Sequence, residues 1–183
     1  YDCLDQGRLP VTRGIELTSD DLVRRAVIMG LMCQGRVSFE SIDIAYLMAG
    51  EGRRMFGDTT PSELPDKFAM SVRMPIGVVG AITPWNFPIA IPSWKIAPAL
   101  VAGNTVVFKP ASDTPHCAVL LVELMAEAGF PPGVVNLVTG SGAEVGDTIV
   151  ESPDVKVISF TGSSANGKRI AERAGRRLKR LSL

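Results

Sequence analysis

Three stretches of this chain combine residue types able to polarise a carbonyl or to hold a phosphate. The first is Ile82-Thr83-Pro84-Trp85-Asn86-Phe87-Pro88, which closes an apolar run. Its prolines fix the backbone, and the Asn86 side-chain amide is a donor that could hold a carbonyl oxygen as that atom gains charge. A rigid turn with a buried indole and a turn Asn is the plainer alternative. The second is Gly140-Ser141-Gly142-Ala143-Glu144-Val145-Gly146, one residue longer than the usual dinucleotide fingerprint. A binding loop and a tight turn both satisfy that pattern. The third, Gly162-Ser163-Ser164-Ala165-Asn166-Gly167-Lys168-Arg169, nearly spells the phosphate loop of nucleotide triphosphatases. Arg169 stands where a hydroxyl is needed to hold Mg²⁺, a metal that takes oxygen ligands. Three readings stay open there: a triphosphatase loop, a helix N-terminus offering amides to some other phosphate, or a plain strand-to-helix turn.

Single residues add less. Lys109, just before Pro110, ends the run Thr105-Val106-Val107-Phe108, so it is either a group at a ligand crevice or a solvated strand end. His116 is expected at the surface. Cys3, Cys33 and Cys117 are odd in number and widely spaced, which excludes a disulfide framework, and the latter two sit among apolar neighbours as packed residues do. With no second His and no clustered Cys, no metal site is expected.

These residues need a scaffold, and the apolar pattern predicts one. Up to residue 71 the signals are helical. One helix start is Thr18-Ser19-Asp20; a second is Ser38, followed by Phe39, Ile42, Tyr46 and Ala49 at helical steps. Residues 57–65 read as a turn-rich connection. From 72 onward, short β-branched runs alternate with helical segments. Strands are predicted over 76–83, 105–109, 134–138, 155–160 and 179–183, with helices over 89–101, 115–128, 143–151 and 164–176. The run 105–108 lacks polar alternation, as suits a strand covered on both faces. Thr114-Pro115 is predicted to cap and open one helix and Gly129 to close it. Strands alternating with crossover helices imply a parallel α/β sheet of the doubly wound kind, whose ligands sit beyond the carboxyl ends of the strands. The predicted organisation is thus an N-terminal helical portion, 1–71, and a Rossmann-like dinucleotide-binding portion, 72–183.

Composition limits the function further. The 183 residues carry 19 Lys+Arg against 19 Asp+Glu, and 46% are hydrophobic, which excludes a disordered chain and argues against a nucleic-acid binder. The seven basic residues between Lys168 and Arg180 then read as a solvated helix face. No uninterrupted apolar stretch is long enough for a membrane span, and residues 1–5 do not begin a signal peptide. A reducing, cytoplasmic compartment is expected.

In order and interval, several of these motifs resemble the aldehyde dehydrogenase superfamily. The resemblance rests on Pro84-Trp85-Asn86-Phe87-Pro88, Trp94-Lys95-Ile96-Ala97-Pro98-Ala99-Leu100, Gly103-Asn104-Thr105-Val106-Val107-Phe108-Lys109-Pro110, Gly129-Phe130-Pro131-Pro132-Gly133-Val134-Val135-Asn136 and Phe160-Thr161-Gly162-Ser163. It covers residues 72–183, extends weakly to Ala49-Gly50-Glu51-Gly52-Arg53-Arg54, and fades over 1–30. The family's fold would be a Rossmann-like parallel sheet flanked by helices and preceded by N-terminal helices, here incomplete.

What the resemblance implies about sites is specific. Asn86 would donate to the substrate oxygen; Ile82, Thr83, Pro84 and Trp85 would line the nicotinamide side of the cleft. Lys109 would meet the adenosine ribose, Gly142 and Gly146 the adenine side, and Phe160, Thr161, Gly162 and Ser163 the pyrophosphate. Ser112 stands where many NAD-using relatives carry Glu, so NADP should be tolerated beside NAD. The implied reaction is oxidation of an aldehyde or semialdehyde to the acid through a cysteine thiohemiacetal. Neither the nucleophilic Cys nor the general-base Glu falls in this chain, which reads as a fragment inactive by itself. The longer protein would be a homodimer or homotetramer acting on a small aldehyde, away from nucleic acid and membrane. A non-catalytic dinucleotide-binding module and a triphosphatase are the alternatives.

Overall fold

The computed structural model describes residues 39–183. The helix start at Thr18-Ser19-Asp20, and Cys3 and Cys33, lie outside the described residues. Helix α1 is Phe39–Gly52, as the spacing predicts. The connection after it is not all turn. Strands β1, Thr59–Pro61, and β2, Phe68–Met70, pair antiparallel with Thr60 opposite Ala69. Three-residue strands such as Thr-Thr-Pro and Phe-Ala-Met carry no period long enough to be read in advance, and pairing alone defines them.

The remaining elements alternate as predicted. They are β3 (Val78–Ile82), α2 (Ala90–Val101), β4 (Thr105–Lys109), α3 (Pro115–Glu127), β5 (Val135–Leu137), a π turn (Gly142–Gly146) running into α4 (Asp147–Glu151), β6 (Val155–Phe160), α5 (Ser164–Gly175) and β7 (Arg180–Ser182). Five strands form one parallel sheet in the order β5-β4-β3-β6-β7. The chain starts in the middle, winds outward through β4 and β5, then returns to the other side of β3. This is the Rossmann-like order, and its direction reverses between β3 and β6.

Both faces of the sheet are covered at its centre, which is why β3 and β4 lack polar alternation, whereas the edge strand β7 is exposed throughout. On one face Val79, Ala81, Val106 and Phe108 pack with Ile96 of α2 and with Ala118 and Leu121 of α3. On the other, Ile82, Ile158 and Phe160 pack with Ile149 and Val150 of α4 and with Ile170 and Ala174 of α5. Gly80 belongs to this second face: a Cβ there would lie 2.5 Å from Ile149 Cγ2, so the close approach of α4 excludes a side chain.

Helix punctuation is partly as predicted. Gly129, at φ +90°, closes α3: its N–H donates to Ala126 O and that of Phe130 to Met125 O. Thr114 does occupy the N-cap position of α3, but its hydroxyl makes no capping bond and is buried without a partner among the described residues. The helix is opened instead by Pro115, whose ring sets φ and whose missing N–H needs no acceptor. Asn104 explains the Gly103-Asn104 pair structurally. Its Oδ1 accepts from Ile76 N at 2.7 Å and Gly77 N at 3.0 Å while Nδ2 donates to Ala99 O, which ties the entry of β3 to the end of α2.

Candidate active site at the carboxyl end of the sheet

Parallel strands deliver all their following turns to one end of the sheet, so four of the candidate segments become neighbours. Thr83 N donates to Lys109 O and Thr161 N to Ile82 O, both at 3.1 Å, which links the turns after β3, β4 and β6. Ser112 Oγ donates to Gly140 O at 3.2 Å, linking the turns after β4 and β5. From β5 to β6 the row spans three inter-strand spacings, roughly 14 Å. It runs Gly142 and Gly146, then Lys109 and Ser112, then Ile82 to Asn86, then Phe160 to Ser163. The direction change between β3 and β6 opens the crevice where ligands of such sheets bind.

The β6 side of that crevice is a helix N-terminus. Ser163 is the N-cap of α5, extended at φ −69° and ψ 145°, and its Oγ accepts from Asn166 N. The amides of Ser164 and Ala165 have no acceptor within the helix, and no acid lies in the first turn, so the helix dipole offers these donors to an anion. Gly162 lets the backbone pass close to the sheet: a Cβ there would lie 2.5 Å from Phe160 Cζ. Thr161, Gly162 and Ser163 are exposed; Phe160 is buried beneath them. The triphosphatase reading fails on this geometry. Residues 164–168, which would have to wrap a phosphate as an open loop, already form the first turns of α5, and Gly167 is buried.

The β3 side carries Asn86. Trp85, Asn86 and Phe87 are exposed on the loop before α2, so the indole is not the buried one of the plain-turn alternative. Behind them Thr83 is 4% exposed, and its Oγ1 has no partner among the described residues. A buried hydroxyl is ordinarily satisfied, and an unmet one at a crevice has capacity for a ligand or a water.

Lys109 is not a solvated strand end. It is 5% exposed, its Nζ donates to Pro110 O at 2.9 Å, and burial lowers its pKa from the usual lysine value. One carbonyl leaves donors of the ammonium unused. Gly142 is exposed and Gly146 buried, and a Cβ at either would meet nothing within 4 Å, so space lies beside both. The structure puts them in the π turn, not in the loop before it.

One pair escaped the sequence reading. Lys95, on α2, donates from Nζ to Ser159 Oγ on β6 at 3.0 Å, and burial lowers its pKa too. The signal was present: Lys95 is the sole charged residue of α2. His116 is exposed and Cys117 buried on α3, as expected. The basic run is more than a solvated face, since Arg169 and Arg173 of α5 pair with Asp147 of α4 at 3.2 and 2.7 Å. No helix among the described residues is long and apolar enough to cross a membrane.

Comparison with known proteins gives the family. Residues 32–183 match the aldehyde dehydrogenase family. The chain belongs to that family. A 2,5-dioxopentanoate dehydrogenase of Saccharolobus solfataricus is 54% identical over 122 residues, which are 67% of this chain and 26% of the relative. The NADP-dependent succinate-semialdehyde dehydrogenase of Escherichia coli is 45% identical over 150 residues, 82% of this chain and 31% of the relative. Among solved structures, PnpE in complex with nicotinamide adenine dinucleotide superposes with a TM-score of 0.81 at 37% identity, covering 91% of this chain and 37% of that one. The chain therefore spans about a third of the length of the family members it matches.

Proposed function

We propose that this chain supplies the dinucleotide-binding part and the oxyanion donor of an NAD(P)-dependent aldehyde dehydrogenase that converts a semialdehyde to the acid. The observation that carries the proposal is the meeting of the Asn86 loop and the α5 N-terminus at the one point where the sheet changes direction. The residues fit a dinucleotide: a buried ammonium with unused donors at Lys109, space beside Gly142 and Gly146, and acid-free amides at Ser164 and Ala165. In this reading Lys109 and Ser112 hold the adenosine ribose, Gly142 and Gly146 flank the adenine, and Gly162 and Ser163 receive the pyrophosphate. Ile82, Thr83, Pro84 and Trp85 line the nicotinamide end. The bound cofactor supplies the hydride acceptor.

The residues of this chain then act on the other atoms. Asn86 points a neutral amide at the aldehyde oxygen and holds it as a thiolate adds to the carbon, the thiolate coming from outside the described residues; Cys117 is buried on α3. Charge gathers on that oxygen and leaves it when hydride departs, so a donor fixed in place favours the step without giving up a proton. Relatives named for 2,5-dioxopentanoate and succinate semialdehyde support an aldehyde that itself bears a carboxylate. Ser112 supports tolerance of NADP: a hydroxyl, unlike a carboxylate, does not repel a 2′-phosphate, although here it must turn away from Gly140 O to donate to one.

Paired titrations of the protein with NAD and NADP, and aldehyde turnover by Asn86→Ala in an intact enzyme that contains this chain, test the proposal. Both cofactors should bind, and turnover should fall by about 10²–10³ with cofactor affinity unchanged. Unaltered turnover with chemistry rate-limiting would reduce Asn86 to a turn residue.

A further inference from the structure

The crevice lies at the carboxyl end of the sheet; the basic run of α5 continues to the opposite, amino end. Three of its arginines are already committed. Arg169 and Arg173 pair with Asp147, Arg173 also with Glu151, and Arg176 with Glu172. Beyond them the chain reverses. Leu178 N donates to Gly175 O and Lys179 N to Ala174 O, with Leu178 at φ +53° in the left-handed position that usually falls to glycine. The reversal carries Lys179 to the start of β7. Val157 of β6 pairs with Arg180 of β7, so one step earlier Lys156 and Lys179 stand side by side. Their ammonium groups sit on adjacent carbonyls of the turn after α4: Lys156 Nζ donates to Pro153 O at 2.7 Å and Lys179 Nζ to Ser152 O.

We propose that Lys156, Arg177 and Lys179 form a second anion site, at the amino end of the sheet, which takes the phosphate group of a small molecule. The inference is independent of the dinucleotide reading. Each lysine gives one of its three donors to a carbonyl, so the turn after α4 holds both ammonium groups in place without neutralising them. Arg177 acts on the same spot. The pKa of half-buried Lys179 is lowered first by burial, then by the charges of Arg177 and Lys156, against which Asp154 works in the opposite direction. Glu151 and Glu172, which line a cavity with Arg177, already hold Arg173 and Arg176. A tetrahedral oxyanion has oxygens enough for the guanidinium fork and both ammonium groups, and its double charge relieves their mutual repulsion.

Calorimetric titration of the full 183-residue chain with inorganic pyrophosphate tests the site, with NAD present to fill the crevice. The chain should bind pyrophosphate, and Arg177→Gln and Lys156→Gln should each weaken that binding by about tenfold or more, because each removes a charged donor. Arg177→Lys keeps the charge without the fork and should recover part of the loss. Arg176→Gln removes an equal charge one residue away, from a group already paired, and should change affinity by less than about threefold. NAD affinity should be the same throughout. A chain that does not bind NAD leaves the crevice contribution equal in every variant, so the differences still report on this site. Equal weakening by the Arg176 and Arg177 changes would reveal a diffuse field and overturn the proposal. So would a parent chain that binds no pyrophosphate, or Arg177→Gln and Lys156→Gln variants that bind it as the parent does.

Discussion

The two glycine-rich turns begin alike in sequence and part company in the fold. Ser141 and Ser163 both stand in extended backbone ahead of a helical segment, and each accepts from the amide three residues on, at 3.1 and 3.3 Å. In the first turn, though, Ser141 also donates to the Glu144 carboxylate at 3.0 Å, and Gly140 is held at φ +148° with Val145 Cγ2 2.5 Å from where a Cβ would be. The segment that follows is a five-residue π turn leading into a five-residue helix. In the second turn no acid reaches back, and a twelve-residue helix follows. An acid at the third helical position satisfies its own cap and sets a negative charge at the helix start. Without one, the first-turn amides and the dipole are left for an outside anion. Two motifs that look equally suited to phosphate therefore differ in what they can receive.

The largest expected effect tests that asymmetry at the glycines. Gly162→Ala should destabilise the chain by about 1–3 kcal/mol, because its Cβ meets the buried Phe160 ring, and should abolish measurable dinucleotide binding. Gly142→Ala meets nothing within 4 Å and should stay within about 0.5 kcal/mol of the parent. Denaturant unfolding beside cofactor titration reads both, and the reverse order of damage would break the comparison.

Lys109 stands between the two turns, and its burial should trade stability against binding. Its folded pKa lies below its unfolded one, so in the window between them the unfolded chain holds the extra proton. Stability should therefore rise as pH climbs from the lowered value toward the ordinary lysine value of 10.5. Lys109→Met should flatten that rise and raise the midpoint of thermal unfolding near neutrality, while weakening dinucleotide affinity. A loss of both stability and affinity would show the ammonium to be a structural partner.

Smaller effects sharpen the contrast between the caps. Ser163→Ala should cost about 1 kcal/mol and Ser141→Ala about 0.5 kcal/mol, since Ser163 caps a twelve-residue helix and Ser141 only a five-residue π turn. Hydrogen exchange of the two first turns would show which helix frays. Last, Arg173→Ala breaks the exposed link from α5 to Asp147 and Glu151 and should cost only about 0.3–0.5 kcal/mol, less at high salt.

Much of this was legible in advance because it depends on neighbours along the chain. The β-branched runs at 105–109 and 155–160 and the helix punctuation at Pro115 and Gly129 act through local sterics and periodicity, and the elements formed where these pointed. The β1–β2 ribbon was not legible, because Thr59–Pro61 and Phe68–Met70 become strands only by pairing. Nor was the failure of the Thr114 cap, which depends on burial of its hydroxyl beneath neighbouring segments.

The sequence by itself determined the parallel α/β sheet, the family, and the segments that gather at one end of the strands. Each of these follows from apolar period, turn chemistry or motif order, all of which are properties of a linear string. Only the tertiary structure decided which candidate groups are spare and which are already engaged. Lys109 is buried with donors left over, Ser112 is bonded to Gly140, Glu144 occupies the cap of its own turn, and Lys95 crosses from α2 to β6. The physical reason is that a polar group's capacity depends on what solvates it. For Ser112 and Lys95 that is set by residues 28 and 64 positions away, brought near by the order β5-β4-β3-β6-β7.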